Sequence, residues 1–297
     1  SPNFDISAEK AAWFLQNSNG PSVDSVVAIN QSLLKDILEL TGPLQVEGLR
    51  SPLDSTNYQL ILSYLIESKH YGEQNPKIIL SRTIDALKQN LSEKKDYSAI
   101  LKLLLESVKK QKIMLYSRDS QVQELFDFFH LTPRQKNISA SEDYFQLNSI
   151  SIGGNKSDQF ISQKIRHETI IENNGEIFDE VTITRTHTFS ESDLNQWKKS
   201  LARFGINDPA DWVLDILGRG VNKANLKVYV PLGSTLENVI GADPVEIMVR
   251  SDQELSKTFF LIPFSTYPGQ PQTVIIRYKL PFKLSTFAAD IYRFSID

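Results

Sequence analysis

The chain predicts an α+β protein in two parts. A helix-rich α/β domain covers residues 1–138, and an antiparallel β-sandwich covers 139–297 with a helical insertion at about 191–218. Three observations predict this. Up to residue 138 apolar residues recur mostly at helical spacing. Beyond it, β-branched and aromatic residues alternate with polar ones at period two. Between the two, "TPRQKNISASED" replaces apolar pattern with proline, serine and charge, as a boundary does.

In the first part "DISAEKAAWFLQ" is an alanine-rich helix, with Ser7 expected as its N-cap. "VDSVVAIN" (residues 23–30) is a short apolar strand. Leu33, Leu34, Ile37, Leu38 and Leu40 then repeat at helical spacing until Gly42 and Pro43, a left-handed cap followed by a residue that cannot continue a helix. "LDSTNYQLILSYLIESKHYG" is a third helix, capped around Asp54 to Thr56 and ending at Gly72. "NPKIILSRTIDALKQNL" opens with Asn75 as cap and Pro76 at the first helical position, where proline is favoured. "DYSAILKLLLESVKK" is a helix behind Asp96, "KIMLYS" a strand, and "DSQVQELFDFFHL" a last helix closed by Pro133.

In the second part "YFQLNSISI", "QFISQKIRHETII" and "EIFDEVTITRTHTF" are strands. The last two form a hairpin across "ENNG", whose Asn-Asn-Gly supplies positive φ angles and sets His187 opposite Ile161. "SDLNQWKKSLARFG" and "DPADWVLDILGRG" are short helices, the second starting at Asp208 and Pro209. "NLKVYVPLG", "VEIMVRS", "KTFFLIPF", "TVIIRYKLP" and "IYRFSI" complete the sandwich without crossover helices.

The bulk numbers narrow the function classes. Forty per cent hydrophobic and 23% charged residues describe an ordinary globular chain. No apolar run is long enough to span a bilayer. Basic and acidic residues number 16 and 16 before residue 140, then 16 and 20 after it, so no basic field points to nucleic acid. There is no cysteine, which removes disulfides, thiolate metal sites and a cysteine nucleophile together.

Motifs for chemistry are sparse. His70 and His130 are expected at helix ends, and His167 and His187 on separate arms of the hairpin, so no metal site is expected from spacing. No G-x-S-x-G occurs, and no catalytic residue is assigned. "GGNKSD" (residues 153–158) lacks the G-K-[ST] ending of a phosphate loop and precedes a strand, so it reads as a turn. Asp208, Asp211 and Asp215 share one solvated helical face, and Asp179-Glu180 is a further acidic pair. Trp212, Phe259, Phe260, Tyr267, Tyr278 and Phe282 sit at the spacing of core rather than of a sugar platform.

Several strings in order carry a resemblance: "SPNFDISAEKAAWF", "VDSVVAINQSLLKDILELTGPLQV", "NPKIILSRTIDAL", "IMLYSRDSQVQELFDFF", "GGNKSD", and the stretch from "VYVPLGSTL" to "TVIIRYKLP". Together they resemble the C-terminal portion of the bacterial family called domain of unknown function 4012. That resemblance implies an exported cell-envelope protein, anchored by a membrane helix upstream of Ser1. Its partners would be envelope components, other surface proteins or a second copy of itself, with no cofactor and no nucleic acid. The α/β part is distantly similar to LytR–CpsA–Psr transferases of lipid-linked glycopolymers, which hold pyrophosphate with arginines. Here Pro76 and Ile79 fall where those arginines belong, and Lys77 and Arg82 are the nearby cations. The expectation is therefore a non-catalytic surface interaction or assembly module. Its alternative is handling of polyprenyl-phosphate-linked glycopolymers, with Lys77 and Arg82 as phosphate contacts.

Overall fold

The computed structural model describes residues 2–93, 96–285 and 292–296. Ser1, and Ile291 at the head of the last expected strand, lie outside them. The chain is mixed α+β, with helices and three sheets. It divides into two compact units, Ser1–Gln135 with Lys198–Asp208, and Lys136–Trp197 with Pro209–Asp297.

The first unit contains helices α1 (Phe4–Asn17), α2 (Ser32–Thr41), α3 (Tyr58–Glu67), α4 (Ile78–Glu93), α5 (Tyr97–Lys109) and α6 (Ser120–Phe128), with strands β1 (Ser25–Ile29) and β2 (Ile113–Ser117). The two strands pair antiparallel from Ser25 opposite Ser117 to Ile29 opposite Ile113. Side-chain caps start two of the helices: Asp96 accepts from the Ala99 N–H, and Asp119 from those of Gln121 and Val122. Gly42, at φ 85°, ends α2 while its N–H bonds the Leu38 carbonyl. Arg118 donates to both oxygens of Glu9, at 2.9 and 2.8 Å, fastening the end of β2 to α1. With the Tyr116 hydroxyl also donating, the Glu9 carboxyl is held down at about 2.

Three helix starts differ from expectation. Ser7 lies inside α1, because the Asn3 carbonyl already accepts its N–H. Helix α4 begins at Ile78; Asn75 to Lys77 form a turn in which the Asn75 carbonyl accepts from Ile78. Helix α8 (Asp211–Leu214) starts behind Ala210, leaving Asp208 and Pro209 outside it.

The second unit holds β3 (Asp143–Ser151), β4 (Ile161–Ile171), β5 (Glu176–His187), β6 (Asn222–Pro231), β7 (Thr235–Ile240), β8 (Met248–Asp252), β9 (Lys257–Thr266), β10 (Pro271–Lys283) and β11 (Phe294–Ile296). Helix α7 (Glu191–Arg203) falls partly in each unit, and α8 follows it in the second. One sheet has the order β4-β5-β10-β7 and the other β11-β3-β6-β9-β8. Inward residues of both fill one apolar core: Ile177, Val181, Ile183, Val274 and Ile276 from the first, and Phe145, Leu226, Val228, Phe260 and Ile262 from the second. The β4–β5 hairpin turns through Gly175 at φ 79°, where an added Cβ would lie 2.0 Å from the Leu284 carbonyl oxygen. Its register sets Ile161 opposite His187, as the turn residues required. Two features escaped the pattern. Strand β7 carries Glu237 and Asn238 and lies at a sheet edge. Strand β11 pairs parallel with β3, in a sandwich expected to be antiparallel.

Candidate functional site

Strand β5 alternates strictly between half-buried and buried positions. Its inward residues are Ile177, Asp179, Val181, Ile183, Arg185 and His187. Polar side chains therefore occupy core positions at both ends of one strand, and each gathers a cluster.

At the hairpin end, Thr169, Asp179 and Tyr278 form a row across β4, β5 and β10. Directly opposed residues share a face, so all three side chains point into the sandwich, with His167 two positions from Thr169 on the same side. Asp143 arrives from β3 in the facing sheet, and Tyr292 from the segment ahead of β11. The Tyr292 hydroxyl donates to Asp143 Oδ2, and the Thr169 hydroxyl donates to Asp179 Oδ1 at 2.7 Å. His167 Nε2 stands 3.3 Å from Asp179 Oδ2. Phe145 and Phe294 wall the imidazole at ring distances of 5.3 and 4.7 Å.

Both carboxylates are fully buried. Burial and then the charge of Asp179 push the Asp143 carboxyl up to about 7, against the bonds from Tyr292 and the Tyr144 N–H. The Tyr278 hydroxyl is raised well above its usual value by burial, then by Asp179 and Asp143. Among the described residues His167 Nε2 and Asp179 Oδ2 have no hydrogen-bond partner. One ligand atom from each of Asp143, His167 and Asp179 lies within 4.8 Å of the others, the one such trio among the described residues.

No family model, curated protein or solved structure matches the chain.

At the opposite end Arg185 is buried, with 2% of its surface exposed. Its Nη2 donates to Asn222 Oδ1 at 3.2 Å and stands 3.8 Å from Asp158 Oδ1. Asn222 donates onward to Ser157 and Asp158 at 2.9 and 2.8 Å. "GGNKSD" is thus a loop running into a short 3-10 turn that caps this end. Among the described residues Arg185 Nε and Nη1 and the Thr266 hydroxyl lack partners. Burial pulls the guanidinium pKa down, and the charge of Asp158 opposes it. His187 Nδ1 accepts from the Phe189 N–H at 3.3 Å, so its Nε2 carries the proton and donates to the Gly220 carbonyl at 3.0 Å.

The residues singled out by sequence fall elsewhere. Lys77 is exposed in the turn before α4, and the Arg82 guanidinium lies over the Tyr71 ring, 5.4 Å from its centroid. Asp211 and Asp215 share Arg219, at 2.8 and 2.6 Å, while Asp208 is exposed. Phe260 and Tyr278 are core, whereas Trp212 and Tyr267 are about half exposed, so no aromatic platform assembles from the set. Asp143 and Tyr292 were not anticipated, because their cluster needs a pairing between sheets that spacing does not encode. The polar residues at inward positions of β5 were the available signal.

The helices of the first unit display apolar side chains to solvent. On α5 Tyr97, Leu101, Leu104 and Leu105 form one stripe at 72, 58, 41 and 55% exposure. Val122, Leu125, Phe128 and Phe129 on α6, and Trp13 and Phe14 on α1, are exposed too. A groove of about 380 Å³ between α2 and α5 is lined by Leu40, Leu103, Asp36 and Lys102 among others.

Proposed function

We propose that the chain is a non-catalytic interaction and assembly module of the bacterial cell envelope, held extracytoplasmically by a membrane anchor. The carrying observation is the apolar stripe of α5. Four large apolar side chains on one helical face, each at least two-fifths exposed, are what a partner surface covers. The groups with unusual chemistry, by contrast, are enclosed in the sandwich rather than presented in a cleft. The envelope setting follows from the family resemblance, as does a LytR–CpsA–Psr-like ancestry for the helix-rich unit.

Two measurements test this reading. Cell fractionation should recover the native protein with the envelope; recovery from the cytosol overturns the location. Leu101→Glu with Leu105→Glu should abolish self-association in sedimentation, or crosslinking to an envelope protein, while leaving the circular dichroism unchanged. An unaltered set of complexes overturns the interface. Binding of polyprenyl pyrophosphate that is lost in Lys77→Ala and Arg82→Ala would support the glycopolymer-handling alternative instead.

A further inference from the structure

We propose that Asp143, His167 and Asp179 bind a first-row divalent metal ion, best represented by zinc, which ties the two sheets of the sandwich together.

Geometry comes first. Ligands around tetrahedral zinc, at about 2.0–2.1 Å from the ion, stand roughly 3.3–3.4 Å from each other. His167 Nε2 and Asp179 Oδ2 are 3.3 Å apart, already at that edge length. An Asp143 oxygen lies within 4.8 Å of both, a gap that a turn of its carboxylate narrows.

Charge is the second argument. Metal binding would take both buried carboxyl groups as carboxylates and the imidazole as neutral, a donor set of two negative charges that complements a divalent cation. The third is valence. Among the described residues Nε2 and Oδ2 lack hydrogen-bond partners. Tyr278 has no exposed surface and is paired directly with Asp179, so its hydroxyl is placed to bond a carboxylate oxygen or a metal-bound water. Outer support already exists, since Tyr292 donates to Asp143 and Thr169 to Asp179.

The donor set selects the metal class. Calcium and magnesium take oxygen-only cages, whereas an imidazole between two carboxylates suits zinc and its neighbours. Because Asp143 comes from the β3 sheet and the other two from the β4–β5 hairpin, the ion bridges the sheets. In a chain without cysteine that bridge supplies the crosslink a disulfide would give elsewhere.

The full chain, stripped with a chelator and dialysed, is titrated with zinc chloride by calorimetry and then unfolded thermally with zinc, calcium or magnesium present. One zinc should bind per chain, and Tm should rise with free zinc as mass action requires. Calcium and magnesium should leave Tm unchanged. His167→Gln should weaken zinc by more than about tenfold, since even outer-shell losses commonly reach that size. His130→Gln, on the other unit, should change nothing. Histidine-selective ¹⁵N spectra of the wild-type protein give a readout independent of variant folding. Zinc should move the ring signals of His167 alone among the four histidines. Absence of zinc binding, unmoved His167 signals, equal stabilisation by calcium, or undiminished affinity in a folded His167→Gln would each overturn the site. An unstabilised cluster that keeps its proton instead would show as the first of these.

Discussion

The two ends of the sandwich follow one rule and reach different outcomes. Strand β5 places Asp179 inward near its start and Arg185 inward near its finish, with Val181 and Ile183 between them. At the Arg185 end the protein supplies the neutralising charge itself, through Asp158 on the "GGNKSD" turn. At the Asp179 end the facing sheet supplies a second buried carboxyl group, Asp143, rather than a cation. A buried charge needs a partner or it is expelled as the neutral form. One end finds its partner in the fold; the other has the valence and charge of a site for an ion. Both ends share the cost of desolvation, but only the acidic one gains from an added cation.

The apolar middle sets the scale for this contrast. Phe260 has no exposed surface and packs against Tyr278 at a ring distance of 5.6 Å. Phe260→Ala should lower stability by about 3–5 kcal/mol in urea unfolding, whether or not metal is present. Arg185→Met comes next. Among the described residues two guanidinium nitrogens lack partners, and Asp158, nearly half exposed, can be solvated without the cation. The buried Asn222 Oδ1, however, loses its donor, so stability should fall by about 1–3 kcal/mol. A gain in stability instead would show that desolvation of the guanidinium outweighs its bond to Asn222. Asp143→Asn sharpens the other side. In chelated protein it removes one of two buried carboxylates yet leaves an oxygen to accept from Tyr292, so stability should rise by about 1–2 kcal/mol. The same variant should lose the zinc-dependent rise in Tm. Destabilisation of the chelated Asp143→Asn protein would show that the two carboxylates do not repel.

Much of this was legible before the fold, though unevenly. The helices α5 and α6 announce themselves through Asp96 and Asp119, residues that cap in the structure as their positions ahead of apolar runs imply. The β4–β5 register is legible because Asn-Asn-Gly admits few turns, and His187 opposite Ile161 follows. Parity within β5 was legible too: Asp179, Arg185 and His187 fall in step with Ile177 and Val181. What sequence cannot carry is the meeting of Asp179 with Asp143, 36 positions away on the other sheet, or the parallel entry of β11 that brings Tyr292 with it. Those contacts depend on how two sheets stack, and no local spacing records that.

The smallest effect separates a fully buried acid from a partly buried one. Glu176 opens β5 and receives Lys279 at 2.7 Å and Lys283 at 2.8 Å. Bonds from these lysines hold its carboxyl at about 2, below the ordinary 4.5, whereas Asp143 a few residues away in space is pushed upward. The folded state therefore holds the Glu176 charge more readily than the unfolded chain. Its contribution is complete above about pH 4.5, declines as pH falls toward about 2, and is gone below that. Urea midpoints of wild type and Glu176→Gln should thus differ slightly at pH 6 and converge as pH drops through that window. Added salt should narrow the gap at pH 6, because these lysines are partly exposed and their pairing with Glu176 is screened. The zinc-dependent rise in Tm should survive both Glu176→Gln and salt, because two of the ion's ligands are fully buried and the third is mostly so. A gap that widens toward pH 2, or a zinc response lost with Glu176, would mean that the hairpin end titrates as a single unit rather than as a screened surface over an enclosed site.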